Sequence, residues 1–370
     1  MKHRGVWRTP IVLLALTVLM AACGGDATTT TTAATAETTA AGDTTSTFAA
    51  GDTTTTAAET TTTAAMEPTT LTAVHGSSPD FIALVPAAAW DVLAEQGIEV
   101  DQQYVEDGSI AIQALAQGEA QVATNIGVNV GLLAVQEGAS IIDVMATQRP
   151  TWALVSRNEI TSIEGLAGLN MGVHGETSFT KAIADFYDEE YALGMTQLII
   201  PGSEVRAEAL ANDQIDASVI DFPDIVRLEA TFPDSFNVLA TIGETLPDLI
   251  EQDIWMNQSW IDENPELAQQ VVTALVAGIR NLRDDNAYAL TLASELLPDE
   301  DPAVLTELIA AYTDRGIWDP NGILTEETAQ FTIEFFADLG EIDVDPTTVD
   351  LNEFFNFALL EGALGELGRQ

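Results

Sequence analysis

Cysteine occurs once in the 370 residues, at Cys23, so no internal disulfide can staple this fold and no cysteine cluster can hold a metal. Basic residues are nearly as scarce, with twelve against 58 acidic ones and a formal net charge of −46. Lys2, Arg4 and Arg8 belong to the first eight positions, and Lys181 is the only lysine that follows. A chain so acidic is unsuited to a phosphate backbone or an anionic lipid surface. It fits saline surroundings, where salt screens self-repulsion. Histidine is limited to His3, His75 and His174, and no G-x-S-x-G elbow or P-loop occurs. The chemistry-bearing residues therefore predict no metal, no cofactor and no catalysis. Apolar stretches beyond Cys23 are short; Leu267 to Ile279 is broken by polar residues at helical spacing.

What precedes Cys23 gives it meaning. A basic start is followed by an apolar run, Ile11 to Met20, and then Leu19-Met20-Ala21-Ala22-Cys23. The run is too short for a mature transmembrane helix. The pattern resembles the bacterial lipoprotein signal, which implies that residues 1–23 are a signal segment, that Cys23 is lipidated, and that the chain sits on the outer face of the cell membrane. Residues 24–70 are mostly Thr and Ala, with scattered acids and no Lys or Arg. They cannot bury enough apolar surface to offset ordering entropy. A flexible leash of that length spans on the order of 35–40 Å, and its Thr runs permit glycosylation without requiring it.

The remaining residues, roughly 300 of them, suffice for two packed lobes. Apolar strands alternate with helical spacing: Leu71–Val74, Ile98–Val105, Val122–Ala123, Ile141–Ala146, Asn170–Val173, Ala217–Ile220 and Phe236–Thr241 read as strands. Ser78-Pro79 reads as a helix cap and first turn, with Pro86 marking a kink or a later start. From Pro265 onward helices dominate. The fold class is α/β with a helical C-terminal third, and no solenoid repeat is seen.

Four stretches in this order carry a family likeness. They are Phe81-Ile82-Ala83-Leu84 with the exit Gly97-Ile98-Glu99-Val100; Ala114-Leu115-Ala116-Gln117-Gly118-Glu119; Ser162-Ile163-Glu164-Gly165-Leu166 through Val173; and Asn321-Gly322 through Phe335-Phe336, then Phe354-Phe355. The chain resembles the substrate-binding lipoproteins of ABC importers with the type II periplasmic-binding fold, in the group serving sulfonates, nitrate, taurine and the pyrimidine precursor of thiamine. The resemblance covers residues 71–367. It implies a lobe one of residues 71–155 plus 256–370 and a lobe two of 156–255. The strands joining them should fall near Ala153–Asn158 and Glu251–Asn257, with a C-terminal helical extension on lobe one. It further implies a small polar ligand in the interlobe cleft, ABC permease and ATPase partners, and a monomer. One synthase of the pyrimidine group uses a Cys-rich motif that this chain lacks. A ligand-sensing surface lipoprotein coupled to a membrane signalling partner is the alternative reading.

The expected ligand contacts lie at strand ends and helix starts, where unpaired N–H groups favour polar ligands. They are His75, Ser77 and Ser78 after the first strand, Ser109, and Asn125. In lobe two they are His174, Gly175, Thr177 and Ser178, then Asp221, with Trp152 and Trp255 as ring platforms. Ser77, Ser78, Ser109 and Asp221 could equally be helix caps, and either Trp could be core. Glu176 counts against a tightly held anion. Asp221 favours a ligand with N–H donors, so the pattern leans toward a pyrimidine-like molecule. Arg149, Arg157 or Arg206 would reverse that lean by reaching the cleft.

Overall fold

The structure, a computed structural model, describes residues 69–370. Cys23, the signal segment and all but the last two residues of the Thr/Ala-rich stretch lie outside the described residues. The first half runs β1 (Thr69–His75), α1 (Leu84–Glu95), β2 (Ile98–Tyr104), α2 (Gly108–Ala116), β3 (Val122–Gly127), α3 (Val128–Gln136) and β4 (Ile141–Ala146). The second is β5 (Ala153–Arg157), β6 (Asn170–Val173), α4 (Phe179–Tyr191), β7 (Thr196–Ile199), α5 (Ser203–Ala211), β8 (Ala217–Ile220), α6 (Phe222–Thr231), β9 (Phe236–Thr241) and α7 (Ile242–Thr245). The chain then returns through β10 (Gln252–Asn257) to α8 (Gln258–Glu263), α9 (Pro265–Asp284), α10 (Asn286–Leu296), α11 (Pro302–Asp314), α12 (Glu326–Asp338) and α13 (Phe357–Leu367). No helix among the described residues is long and apolar enough to cross a membrane.

These elements make two five-stranded sheets, ordered β2-β1-β3-β10-β4 and β7-β6-β8-β5-β9. β1 is parallel to β2 and β3, and β6 to β7 and β8. The one reversed strand in each sheet, β10 or β5, is the strand that has just arrived from the other lobe; it is antiparallel to both neighbours. Each sheet is thus completed by chain from across the molecule. The buried runs of β4 and β8 are apolar almost throughout, as expected for strands covered on both faces.

The crossings lie slightly before their expected positions. Ala153–Arg157 is a strand of the second sheet and Gln252–Asn257 one of the first, so the connecting chain is 147–152 outward and 242–251 back. Both strands are apolar at their cores, and neighbours on either side pull them into a sheet. Helix α1 starts at Leu84 with Ala83 before it, so neither Ser77 nor Ser78 caps it; Pro86 lies in the first turn, where its missing N–H costs nothing.

Helices α9 and α13 pack on α1 and β4 of lobe one. The C-terminal helices also lean on lobe two. Phe336 of α12 meets Phe179 edge-on at 6.4 Å between centroids, Phe335 lies 5.5 Å from Phe186, and Tyr312 of α11 lies 6.1 Å from Phe222. Under the first sheet, the fully buried Trp255 ring lies where a Cβ on Gly131 of α3 would come within 2.2 Å of it. Gly131→Leu is therefore expected to cost about 3 kcal/mol, the upper end for overpacking. Urea denaturation checks this, and an unchanged midpoint would show that the indole can yield.

Candidate functional site

The connections leaving the parallel strands β1, β3, β6 and β8 open onto a cleft of about 1040 Å³ lined by residues of both lobes and by the α10–α11 connection. This is where parallel α/β sheets place ligands, at the carboxyl ends of their strands. Helices α2 to α6 all begin on this wall, with Gly108, Gly127, Phe179, Ser203 and Pro223 in or beside their first turns.

On the lobe-one side, Gly76 lies so close to the next loop that a Cβ would stand 2.6 Å from the Asn125 carbonyl oxygen. That approach packs Ser77, Asp80 and Asn125 into one cluster. Asn125, left-handed at φ 57°, directs Nδ2 to Ser77 Oγ at 2.9 Å and to Asp80 Oδ2 at 3.0 Å. Ser77 Oγ donates to Asp80 Oδ2 at 2.6 Å, and Asp80 Oδ1 accepts the Ala83 N–H at 3.0 Å. Burial alone would raise Asp80, but His75 together with the hydrogen bonds from Ser77 and the Ala83 N–H outweighs it, and its pKa lies below the usual carboxylate value. Asp107 caps α2, accepting the Ser109 N–H at 2.7 Å.

Across the cleft, Ser178 caps α4 by accepting the Lys181 N–H at 3.3 Å, and Gly175 N–H donates to Ser178 Oγ at 3.1 Å. His174 Nδ1 accepts the Gly202 N–H at 3.2 Å, which leaves Nε2 to carry the proton shared with Asp107 Oδ2 at 3.3 Å. That bond joins the lobes and, through His174, holds Asp107 far below the usual carboxylate range. Asn129 Nδ2 makes a second interlobe bond, donating to the Thr177 carbonyl at 2.9 Å.

The crossings meet at the back of the site. Glu251 on the return crossing accepts the Thr151 N–H with both oxygens at 2.9 Å. Thr151 Oγ1 lies 2.8 Å from Glu251 Oε1 and 2.8 Å from Asp221 Oδ1. A hydroxyl has one proton, so it cannot donate to two carboxylates at once. One of the two carboxyls must bring its own. The electrostatics agree: burial, then Glu251 and Asp224, lift Asp221 well above the carboxylate range, and burial lifts Glu251 to about 7. Trp152 follows on the same crossing and lines the cleft, its buried Nε1 without a partner among the described residues, with the Arg206 guanidinium 5.8 Å from the ring centroid.

Ser77, Ser78, Ser109, Asn125, Trp152, His174, Gly175, Thr177, Ser178 and Asp221 all stand on the cleft wall. His75 and Trp255 do not. His75 is fully buried beneath the wall, bonded to Thr124 Oγ1 at 2.8 Å and reaching Asp80 from below. Trp255 points into the core because strand alternation on β10 turns it toward α3. Asp221 both caps α6, accepting the Phe222 N–H at 2.8 Å, and faces the cleft. Asp80, Asp107, Glu204, Asp224, Arg227 and Glu300 are wall residues not anticipated from sequence. The Asp-X-Ser spacing at Asp107 was the one readable signal among them, since Asp is as strong a cap as Ser.

Among solved structures, the chain is similar to the ligand-binding component of an ABC-type import system from Staphylococcus aureus with zinc bound (12% identity over 80% of this chain and 99% of that one, TM-score 0.63). It is similar also to the periplasmic aliphatic sulphonate-binding protein SsuA of Escherichia coli (16%, 78% and 92%, TM-score 0.60) and to the periplasmic nitrate-binding protein NrtA of Synechocystis PCC 6803 (11%, 82% and 90%, TM-score 0.63). At such identities the likeness establishes the fold, the two-lobe periplasmic-binding architecture expected from the sequence. No curated protein gives a significant match. The NMT1/THI5-like family profile matches residues 78–288, more than half of the chain, and the protein belongs to that family.

Proposed function

We propose that this protein is the extracytoplasmic solute-binding component of an ABC importer, held at the outer membrane face by lipid on Cys23. It captures one small polar ligand between its lobes and delivers it, chemically unchanged, to a membrane permease driven by a separate ATPase. The observation that carries the reading is the cleft of about 1040 Å³ with wall residues from both lobes and two crossing segments behind it. A ligand touching both walls favours the closed arrangement by its differential affinity for it. Support comes also from the import, sulphonate-binding and nitrate-binding proteins that share the fold.

Thermal-shift screening with thiamine pyrimidine precursors, alkanesulfonates, nitrate and organic amines is expected to find at least one stabilising compound. At a hundred times its Kd such a ligand adds about 2.7 kcal/mol. The same compound should reduce the radius of gyration in small-angle scattering. No shift with any compound, and no compaction, would end this reading.

A further inference from the structure

Resting on that reading of the cleft, we infer that the ligand is a small organic cation, a protonated amine or amidine whose N–H groups are received by Asp221 and its neighbouring carboxylates. Nine carboxylate side chains line the cleft, and the only guanidinium among its lining residues is that of Arg227. Arg227 is already occupied: it donates to Asp224 Oδ1 at 2.6 Å and to Glu300 Oε2. None of the three arginines able to reverse this balance lines the cleft. Arg149 pairs with Asp319 at 2.8 Å, Arg157 with Asp216 at 2.7 Å, and Arg206 is buried among the carbonyls of Ile200, Gly202 and Val219.

Carboxylates of the chain itself take N–H groups at the starts of α1, α2 and α6, whereas α4 is capped by Ser178 and α3 and α5 have no side-chain cap. Asp80 takes the Ala83 N–H, Asp107 caps α2 and Asp221 caps α6. At the starts of α1, α2 and α6 an anion entering the cleft meets carboxylate charge instead of the dipole. Asp221 supplies an independent pointer. It is 6% exposed, its Oδ1 is saturated by Thr151 and Phe222, and among the described residues Oδ2 has no donor. A carboxylate oxygen without a protein donor, on a side chain that lines the cleft, is a receptor for an N–H. No three His, Cys, Asp or Glu residues among those described converge as ligands for a metal ion, so an organic donor fits better.

Proton linkage sharpens the inference. The groups facing Asp221 are Glu251 and Thr151 on the crossings, Asp224 on α6, Asp80 in lobe one, Tyr312 on α11 and Arg206 on α5. Carboxylates predominate among them, so in the empty cleft protons relieve their repulsion. A bound cation takes over that role and expels a proton, whereas a bound anion would draw one in.

The test is titration calorimetry of the protein with putrescine, agmatine and benzamidine, set against methanesulfonate, nitrate and a neutral aminopyrimidine. At least one amine should bind with proton release, and its affinity should rise as pH is raised from about 5 to 7.5. Asp221→Asn, which keeps the cap, should weaken it about thirtyfold. Glu204→Gln, at the exposed rim, should weaken it about threefold. Tighter binding of methanesulfonate, nitrate or the neutral heterocycle than of every amine would overturn the inference and leave the solute-receptor reading standing. So would an amine affinity indifferent to Asp221→Asn. Failure of every probe to bind would overturn both.

Discussion

Arg206→Ala is expected to cost about 3 to 4 kcal/mol of folding stability, the range of a lost buried hydrogen-bond network. The side chain is completely buried in lobe two, without a carboxylate partner among the described residues. Its Nε donates to Ser218 Oγ at 3.1 Å, its Nη1 to the Ile200 and Gly202 carbonyls at 3.1 and 2.9 Å, and its Nη2 to the Val219 carbonyl at 3.2 Å. Burial lowers its pKa to about 10, which leaves it charged at neutral pH. One planar fork thereby ties β8 to the loop before α5 and supports Trp152 from behind. Removing it takes a donor from three carbonyls, of which Gly202 keeps the backbone N–H of residue 206, and opens a void. Arg206→Lys should rescue little, because one ammonium cannot reach carbonyls on separate segments. Urea unfolding measures the loss, and hydrogen exchange should show the 200–204 wall opening first. A loss below about 1 kcal/mol would mean that water replaces the fork.

The second large effect is a decline in stability between about pH 5 and pH 8. Glu251 and Asp143 are each raised to about 7 by burial, and burial with the neighbouring Asp143 places Asp253 well above the carboxylate range. Asp143 and Asp253 are buried on the adjacent strands β4 and β10, and among the described residues neither Asp253 oxygen has a donor. These carboxyls bind their protons more tightly folded than unfolded. Below the unfolded value, near pH 4, both states are protonated and the groups cost nothing. As pH rises the unfolded chain ionises first, so their contribution drains away through pH 7 and is level beyond. For Glu251 alone the change is on the order of 3 kcal/mol. Asp80 and Asp107, held low, act oppositely, losing their contribution as pH falls below about 4. Denaturation at fixed salt should show the fall, and Glu251→Gln and Asp253→Asn should each flatten it and exceed the wild type at pH 8. A profile unaltered in both variants would locate the loss in general acidic repulsion.

Much of this architecture is legible in the linear chain because βα alternation is a local pattern. Gly175 to Ser178 and Asp107 to Ser109 reach the cleft because strand ends and helix starts must share one edge of a parallel sheet. Tertiary neighbours decide what was less legible. Trp152 and Trp255 both lie near the crossings, yet one faces the cleft and the other Gly131, a difference set by sheet registry. Arg206 has the helical spacing of a solvent-exposed residue, and only the carbonyls gathered around it explain its burial. Asp80 looks like an ordinary loop acid until His75 and Asn125, 50 residues apart in sequence, are brought against it.

The order of strands in the first sheet has a kinetic consequence. β3 and β4 are not bonded to each other; the place between them belongs to β10, more than a hundred residues downstream. Residues 153–241 supply every strand of the second sheet in one continuous stretch, while the first must wait through the whole of the second for its missing member. Until that strand arrives, two apolar edges stand open and invite pairing with other chains. A newly made polypeptide is therefore most exposed to aggregation while its N-terminal half is already made and still unfinished.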